Sequence, residues 1–225
     1  MMKYENKKEE IKVSDEPKAR ELLRQAFENT YRWTKEFKGF SADLTVVDNG
    51  KSFSGNVTVQ TPQEVNLSLP DEALQTWAQG QIGMMAVHRG PRQFEESDGR
   101  YVLTLGGDDH NPLGQLLLIH GDGLKSKYRI RNGQITQINR SMGPVRFTIN
   151  VEDSLKTLNG KHLTTRYTVF YFNPQDHSIK QVESYTDHHA IIDTLYLPGK
   201  RRIIFVEGGE VKVKTMVFEG HRFLS

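Results

Sequence analysis

The sequence contains no cysteine and almost no excess charge of either sign. The absence of cysteine excludes disulfide bonds, thiolate metal sites and cysteine nucleophiles. The 30 Lys and Arg residues against 28 Asp and Glu residues leave a formal net charge of +2, which is too small for the electrostatic footprint of a dedicated nucleic-acid binder. We therefore expect no nucleic acid among its partners.

Long hydrophobic runs and catalytic motifs are also missing. The longest aliphatic run, residues 116–119, is far short of a membrane span, and the charged N-terminus lacks the apolar stretch of a secretory signal. P-loop, zinc-protease, serine-hydrolase and EF-hand patterns are absent. We expect a soluble, cytoplasmic protein, at most peripheral to a membrane, without a cofactor. The missing motifs favour a non-enzyme but leave enzyme activity open.

The chain does contain enough bulky side chains for a core. Of its 225 residues, 36% are apolar and 11 are phenylalanine, so the composition is not that of a disordered protein. Residues 1–14 are charged and patternless, which predicts a flexible tail. No linker or repeat divides the remainder, so residues 15–225 are predicted to form a single domain.

Two segments show helical periodicity. Apolar residues recur every three to four positions from Pro17 to about Trp33, after a start signal in which a capping oxygen precedes the proline. A second helix is predicted within residues 71–87, where Asp71 offers an N-cap, although two internal glycines weaken it.

In other segments apolar residues alternate with polar ones, and this period of two residues is typical of strands. Residues 40–46 and 53–59 flank Asn49-Gly50, the favoured turn of a two-residue hairpin. Further strands are predicted at 65–69, 101–105, 115–120, 125–131, 134–140, 145–152, 162–172, 178–188, 192–197, 201–206 and 210–218. Tight reversals are predicted at Asn132-Gly133, Asn173-Pro174, Pro198-Gly199 and Gly208-Gly209.

These short connections predict the fold class. They force neighbouring strands to be antiparallel, because a parallel crossover needs a dozen or more residues. Eleven or more such strands exceed what a flat open sheet tolerates, so a sheet of about eleven strands should curl. The prediction is an α+β fold, in which a curled antiparallel half-barrel has two amphipathic helices covering its concave face.

A predicted helix is followed by the first hairpin, which contains residues 40–44 and 55–59. A third strand, further helices and a meander of strands come after the hairpin. This order resembles that of the periplasmic lipoprotein carriers of the LolA and LolB type. The resemblance implies an unclosed barrel in which helices form a lid over an apolar cavity.

A second resemblance spans nearly the whole chain. It rests on His88-Arg89, Gly99-Arg100-Tyr101, residues 128–131, residues 146–151 and residues 220–224. On these residues the chain is similar to an uncharacterised domain family of cyanobacteria and plastids. That resemblance implies a photosynthetic host and carries no mechanism.

A basic stripe marks one predicted strand. Lys127, Arg129 and Arg131 alternate with other residues, so they share one face. One interpretation is an anionic contact, with a membrane surface or an acidic protein as the partner. The other is a solvated outer face that discourages aggregation, which is the ordinary case in antiparallel sheets.

Aromatic residues and methionines are numerous, and most are expected in the core. Seven are predicted to bind a hydrophobic ligand: Trp77, Met84, Met85, Phe147, Tyr167, Tyr171 and Phe205. The tract from Trp77 to Met85 combines tryptophan, glycine and methionine on a weak helix, a composition suited to an adaptable lid. The alternative for this tract is a plain buried helix.

The leading hypothesis is a non-enzymatic binding protein that holds a hydrophobic small molecule, a lipid or a pigment, or docks a partner on the half-barrel. The alternative is a ligand-free interaction or assembly factor of a photosynthetic organism, with side chains filling the cavity. No catalytic residue and no metal site is predicted. In Asp187-His188-His189 the two histidines would point to opposite faces of a strand, which leaves too few ligands for one ion.

Overall fold

The computed structural model describes residues 13–225, so most of the predicted tail, residues 1–12, lies outside the described residues. The described chain forms two helices, α1 (Pro17–Glu28) and α2 (Glu72–Arg89), and a short 3₁₀ turn at Asp98–Arg100. Its strands are β1 (Phe40–Asp48), β2 (Lys51–Thr61), β3 (Glu64–Ser68), β4 (Val102–Leu105), β5 (Gln115–His120), β6 (Lys127–Arg131), β7 (Gln134–Met142), β8 (Val145–Lys156), β9 (His162–Phe172), β10 (Ile179–Ile192), β11 (Leu195–Glu207) and β12 (Glu210–Phe223).

All these strands belong to one open sheet. Their order is β3-β2-β1-β12-β11-β10-β9-β8-β7-β6-β5-β4, and every ladder between them is antiparallel. The segment that contains α2 joins β3 at one edge to β4 at the other. The predicted α+β class with a curled antiparallel sheet is confirmed, with twelve strands in place of about eleven.

Both helices lie on one side of the sheet, which we call the inner face. Helix α1 packs against β4, β6 and β7, and α2 packs against β2 and β3. Each helix closes its own apolar core: Leu23 and Phe27 pack on Leu117, whereas Ile82 packs within a cluster that contains Leu44. The helices therefore cover the two flanks of the inner face, in agreement with the amphipathic pattern of the sequence.

Helix α1 begins at Pro17 as predicted but ends at Glu28, five residues before the predicted end. Tertiary hydrogen bonds extend the chain beyond it: the amide of Tyr31 donates to His162 O at 2.8 Å, and the amide of Trp33 donates to Arg89 O at 2.7 Å. The prediction of a helical segment to Trp33 was wrong because apolar spacing cannot show these distant acceptors.

The residues before Pro17 cover a sheet edge. No side chain caps α1, so the predicted capping oxygen was wrong. Instead, the carboxylate of Asp15 accepts from the Leu103 amide at 2.9 Å, and that of Glu16 accepts from the Leu105 amide at 3.1 Å. These bonds satisfy amides of β4 that would otherwise be open to pairing with another chain.

The Asn49-Gly50 hairpin is confirmed, with φ values of 46° and 90° at its two turn residues. The reversal predicted at Pro198-Gly199 was wrong, because both residues lie inside the continuous strand β11. His188 pairs with Lys200 and His189 with Pro198, so Gly199 is an extra residue in a β-bulge. A bulge tolerates a proline, which has no amide to donate.

Candidate binding site on the inner face

Five aromatic side chains lie together on the inner face of β8 to β11, and we call them the aromatic wall: Phe147, Tyr167, Tyr171, Tyr185 and Phe205. They pack around Val169 and Ile203. The rings of Tyr167 and Tyr185, which are direct partners in the ladder, stack with a centroid separation of 4.5 Å and an interplanar angle of 5°. Tyr185 is buried and the other four are half-buried, so the wall keeps aromatic surface in contact with solvent.

Trp77 of α2 joins the wall from the helix side. Its half-buried indole packs against the same cluster. The ammonium of Lys214 lies 5.1 Å from the centroid of the Trp77 ring and 5.5 Å from that of Phe205. Both distances permit cation–π attraction, so the lysine connects the helix to this end of the wall.

The structure brings together five of the seven residues predicted to bind a ligand: Trp77, Phe147, Tyr167, Tyr171 and Phe205. Met85, 6% exposed, lies in the core beneath α2, whereas Met84 is 57% exposed on the outer side of the helix. Consecutive helical residues face directions about 100° apart, so one methionine is buried when the other is not. Sequence reasoning left Tyr185 out, because only the register shows that it lies opposite Tyr167.

One carboxylate interrupts the apolar surface of the wall. The Glu183 carboxylate accepts three hydrogen bonds. They come from the hydroxyl of Tyr185 at 2.6 Å, the hydroxyl of Tyr171 at 3.3 Å and the side-chain amide of Gln181 at 2.7 Å. Burial and then the charge of Glu183 raise the pKa of Tyr171, and burial and the hydrogen bond to Glu183 raise that of Tyr185. Both phenols therefore stay neutral donors at physiological pH.

Asp187 and Arg201 form the next inward-facing pair along β10 and β11. The guanidinium of Arg201 donates two hydrogen bonds to the Asp187 carboxylate, from Nε at 2.8 Å and from Nη2 at 2.6 Å. Their side chains are 5% and 6% exposed. As predicted, His188 lies on the opposite, exposed side of the strand. Among residues 13–225, no group of three side chains could hold a metal ion.

The basic stripe lies on the outer face of β6, and two of its three members have partners within the protein. Arg129 donates to both carboxylate oxygens of Asp109, at 2.9 and 2.5 Å, and to Gly114 O at 3.1 Å. Arg131 donates to Pro112 O at 2.6 Å, and Lys127 is exposed. The two arginines thereby hold the loop of residues 106–114 against the sheet.

Two open grooves of about 490 and 500 Å³ lie away from the aromatic wall. Both are lined by Trp33 and Thr34, which follow α1, and by Pro91 and Arg92, which follow α2. Neither contains any of the seven residues predicted to bind a ligand.

None of the helices described in residues 13–225 combines the length and apolar character needed to cross a membrane.

Solved structures similar to this chain have low sequence identity to it. A domain from Vibrio parahaemolyticus, assigned to outer membrane lipoprotein sorting, is 8% identical, with 92% of this chain and 93% of that chain covered and a TM-score of 0.37. The LolA superfamily protein NE2245 from Nitrosomonas europaea is 10% identical, with 92% and 94% covered and a TM-score of 0.37. The MucA/MucB complex from Pseudomonas aeruginosa is matched at 11% identity, with 92% and 99% covered and a TM-score of 0.24.

Family comparison gives a match over almost the full sequence. No curated protein matches the chain. The family described as "Protein of unknown function (DUF3386)" matches residues 14–224, which include α1, α2, the aromatic wall and the Asp187–Arg201 pair. The chain therefore belongs to the DUF3386 family.

Proposed function

We propose that the protein is a non-enzymatic binding protein that holds a hydrophobic small molecule, a lipid or a pigment, against the aromatic wall. The observation that carries this proposal is the position of the wall: four half-buried aromatic rings lie on the inner face, between the flanks that α1 and α2 cover. Contiguous aromatic surface left in contact with solvent is typical of ligand-binding clefts and interaction sites.

The chemistry of the wall suits a molecule that is mainly apolar. Each aromatic ring that a ligand removes from water contributes about 25 cal/mol per Å² of apolar surface. The Glu183 carboxylate, which is held by hydrogen bonds from three neighbouring side chains, supplies one fixed polar position in an otherwise apolar surface. A few placed polar groups within an apolar lining set the orientation of a ligand.

The two tryptophans allow a direct test. In a Trp33→Phe variant, Trp77 is the only tryptophan and lies at the wall. We expect its fluorescence to shift on titration with at least one of a fatty acid, a glycerolipid or a tetrapyrrole. The matched control is Trp77→Phe, which leaves Trp33, a 6% exposed residue whose Nε1 donates to Tyr196 O at 3.1 Å. No response of Trp77 to any of the three classes would overturn the proposal.

A second function is favoured by an apolar patch on the outer face of the β11–β12 hairpin. Val206 and Val211 are partners in the ladder and are 51% and 70% exposed, and Val213 beside them is 37% exposed. This patch supports the alternative of a protein-interaction or assembly factor. Self-association that is lost in Val211→Lys, together with an unresponsive Trp77, would support the alternative over the binding protein.

A further inference from the structure

Arg89, at the C-terminal end of α2, is a buried cation with few partners. Its residue is 9% exposed. Its guanidinium makes one long hydrogen bond within the described residues, from Nη2 to Thr164 O at 3.5 Å. No carboxylate of residues 13–225 lies within 4 Å of it, in contrast to Arg201. Most donors of this guanidinium are therefore free to bind an anion.

The groups around Arg89 do not neutralise it. Asp187 is the strongest source of opposite charge acting on it, but both oxygens of Asp187 already accept from Arg201. Burial lowers the pKa of Arg89 to about 10, and Asp187 only partly opposes this effect. Because that pKa is still well above 7, the guanidinium stays charged. A buried charge that lacks a matched partner is unfavourable, and a bound anion would relieve it.

A buried polar atom of His189 lacks a partner. Nδ1 of His189 is buried and makes no hydrogen bond. Burial, followed by the charge of Arg89, lowers the pKa of His189 to about 4, so the imidazole is neutral at physiological pH. Arg89 and His189 together offer an unmatched cation and an unmatched neutral ring nitrogen beside the Asp187–Arg201 pair.

This cationic end follows the aromatic wall along β9 and β11. Arg201 precedes Ile203 and Phe205 on the inward-facing side of β11. The four residue steps from Arg201 to Phe205 span roughly 13 Å at the rise of an antiparallel strand. On β9, Thr164, which accepts from Arg89, lies three residues before Tyr167. A molecule lying along the wall would direct one end toward Arg89.

We propose that Arg89, assisted by His189, binds the anionic head group of the hydrophobic ligand, so that the ligand class is an acidic amphiphile with a carboxylate or phosphate head. This inference rests on the proposed function, since it assigns the other end of the same site. The planar guanidinium matches both oxygens of a carboxylate or phosphate, which a lysine cannot do.

The test compares decanoate with 1-decanol at pH 8, by fluorescence of Trp77 in the Trp33→Phe background. Decanoate and decanol share an alkyl chain and differ in the charge of the head. We expect decanoate to bind about tenfold to a hundredfold more tightly, the range given by charge-assisted hydrogen bonds. Arg89→Met should abolish this preference and leave the affinity for decanol within about twofold.

Arg92→Met is the matched control, because it removes the same charge from an exposed position three residues away. It should retain the preference for decanoate. Arg89→Met replaces a buried charged side chain with an apolar one of similar length, so we expect the variant to fold. Arg89→Lys is the second variant: it keeps the charge but loses the planar fork, and should weaken the preference.

The outcomes separate the two proposals. If decanol binds and decanoate binds no better, or if Arg89→Met keeps the preference, the head-group assignment is wrong and the hydrophobic site stands. If neither molecule binds, the head-group assignment is wrong, and the proposed function also fails if glycerolipids and tetrapyrroles leave Trp77 unchanged. If inorganic phosphate alone raises the thermal midpoint of the parent, and not of Arg89→Met, while decanoate shows no preference, the site binds a free anion and the amphiphile assignment is overturned.

Discussion

The carboxylate of Asp187 on β10 is bound by the guanidinium of Arg201 on β11 through two hydrogen bonds of 2.8 and 2.6 Å, and both side chains are almost completely buried. The pair adjoins the aromatic wall along β10 and β11, and its charges act on Arg89. Because the two charges compensate each other, Arg89 is left as the unmatched cation of this region. One ion pair thus decides which arginine is available to a ligand.

Asp187→Asn should strongly destabilise the protein. It leaves the charge of Arg201 buried without a counterion, and breaking a buried pair from one side costs about 3–5 kcal/mol. The free energy of unfolding in urea measures the effect. Asp153→Asn is the control, because its partner Arg166 is 3.6 Å away and both side chains are more than half exposed; it should cost less than about 1 kcal/mol. Equal losses in the two variants would contradict the account.

The stability of the protein should fall in mildly acidic solution. The pKa of His189 is lowered to about 4 by burial and by Arg89, with Asp187 opposing and Arg201 and His188 adding to the shift. In the unfolded chain histidine titrates at about 6.5. The unfolded state therefore binds more protons between these values, so the free energy of unfolding is highest above about pH 6.5 and decreases toward about pH 4.

Urea unfolding at pH 7.5 and pH 5.5 measures this dependence. His189→Gln should reduce it, because one titrating group is removed; burial also lowers the pKa values of His88 and His162, which keep part of the dependence. His188→Gln, on the exposed side of the same strand, should keep it. The account is contradicted if the His188 variant reduces the dependence and the His189 variant does not.

Phe205→Ala should weaken binding of a hydrophobic ligand by about tenfold to a hundredfold, since it removes one large apolar surface of the wall. Because the ring is half-buried, the loss of stability should be smaller than for a core phenylalanine. Titration calorimetry with a ligand identified through Trp77 measures the affinity. Met84→Ala, at a 57% exposed position, should bind like the parent; a comparable loss there would place the ligand on α2 and not on the wall.

Changing Lys127, Arg129 and Arg131 together to glutamine should free the loop of residues 106–114. The loop loses the ion pair of Arg129 with Asp109 and the bond of Arg131 to Pro112 O. We expect faster proteolysis within the loop, with global stability changed by less than about 1 kcal/mol, because the Asp109 side of the pair is exposed. Loss of binding to anionic vesicles, without faster loop cleavage, would instead support the anionic-contact interpretation of the stripe.

The strands and helices were largely predictable because their signals are local. Asn49-Gly50 demands positive φ, and the spacing of apolar residues distinguishes α1 and α2 from the strands. The errors lie where distant groups decide the backbone. After Glu28 the chain leaves the helix because its amides donate to the carbonyls of His162 and Arg89. Gly199 forms a bulge within a strand. From the sequence alone, a Pro-Gly pair in such a bulge cannot be distinguished from one in a turn.

The candidate site was predictable only in part. Trp77, Phe147, Tyr167, Tyr171 and Phe205 stand out by type, and the register brings them together. The cationic end was not predictable, because Arg89, Asp187 and Arg201 are far apart in sequence and become neighbours only through the order of the strands. The sequence showed Asp187 only as part of a cluster with too few ligands for a metal ion, whereas its register partner is an arginine.

The most direct measurement is contact quenching of tryptophan by a fatty acid brominated on its acyl chain. Bromine quenches an indole only at close range, so it reports where the chain lies. In the Trp33→Phe variant, Trp77 should be quenched by the brominated acid and not by its unbrominated parent. In the Trp77→Phe variant, the buried Trp33 should be unaffected. Equal quenching of both tryptophans, or none of Trp77 at saturation, would contradict a hydrophobic ligand at the aromatic wall.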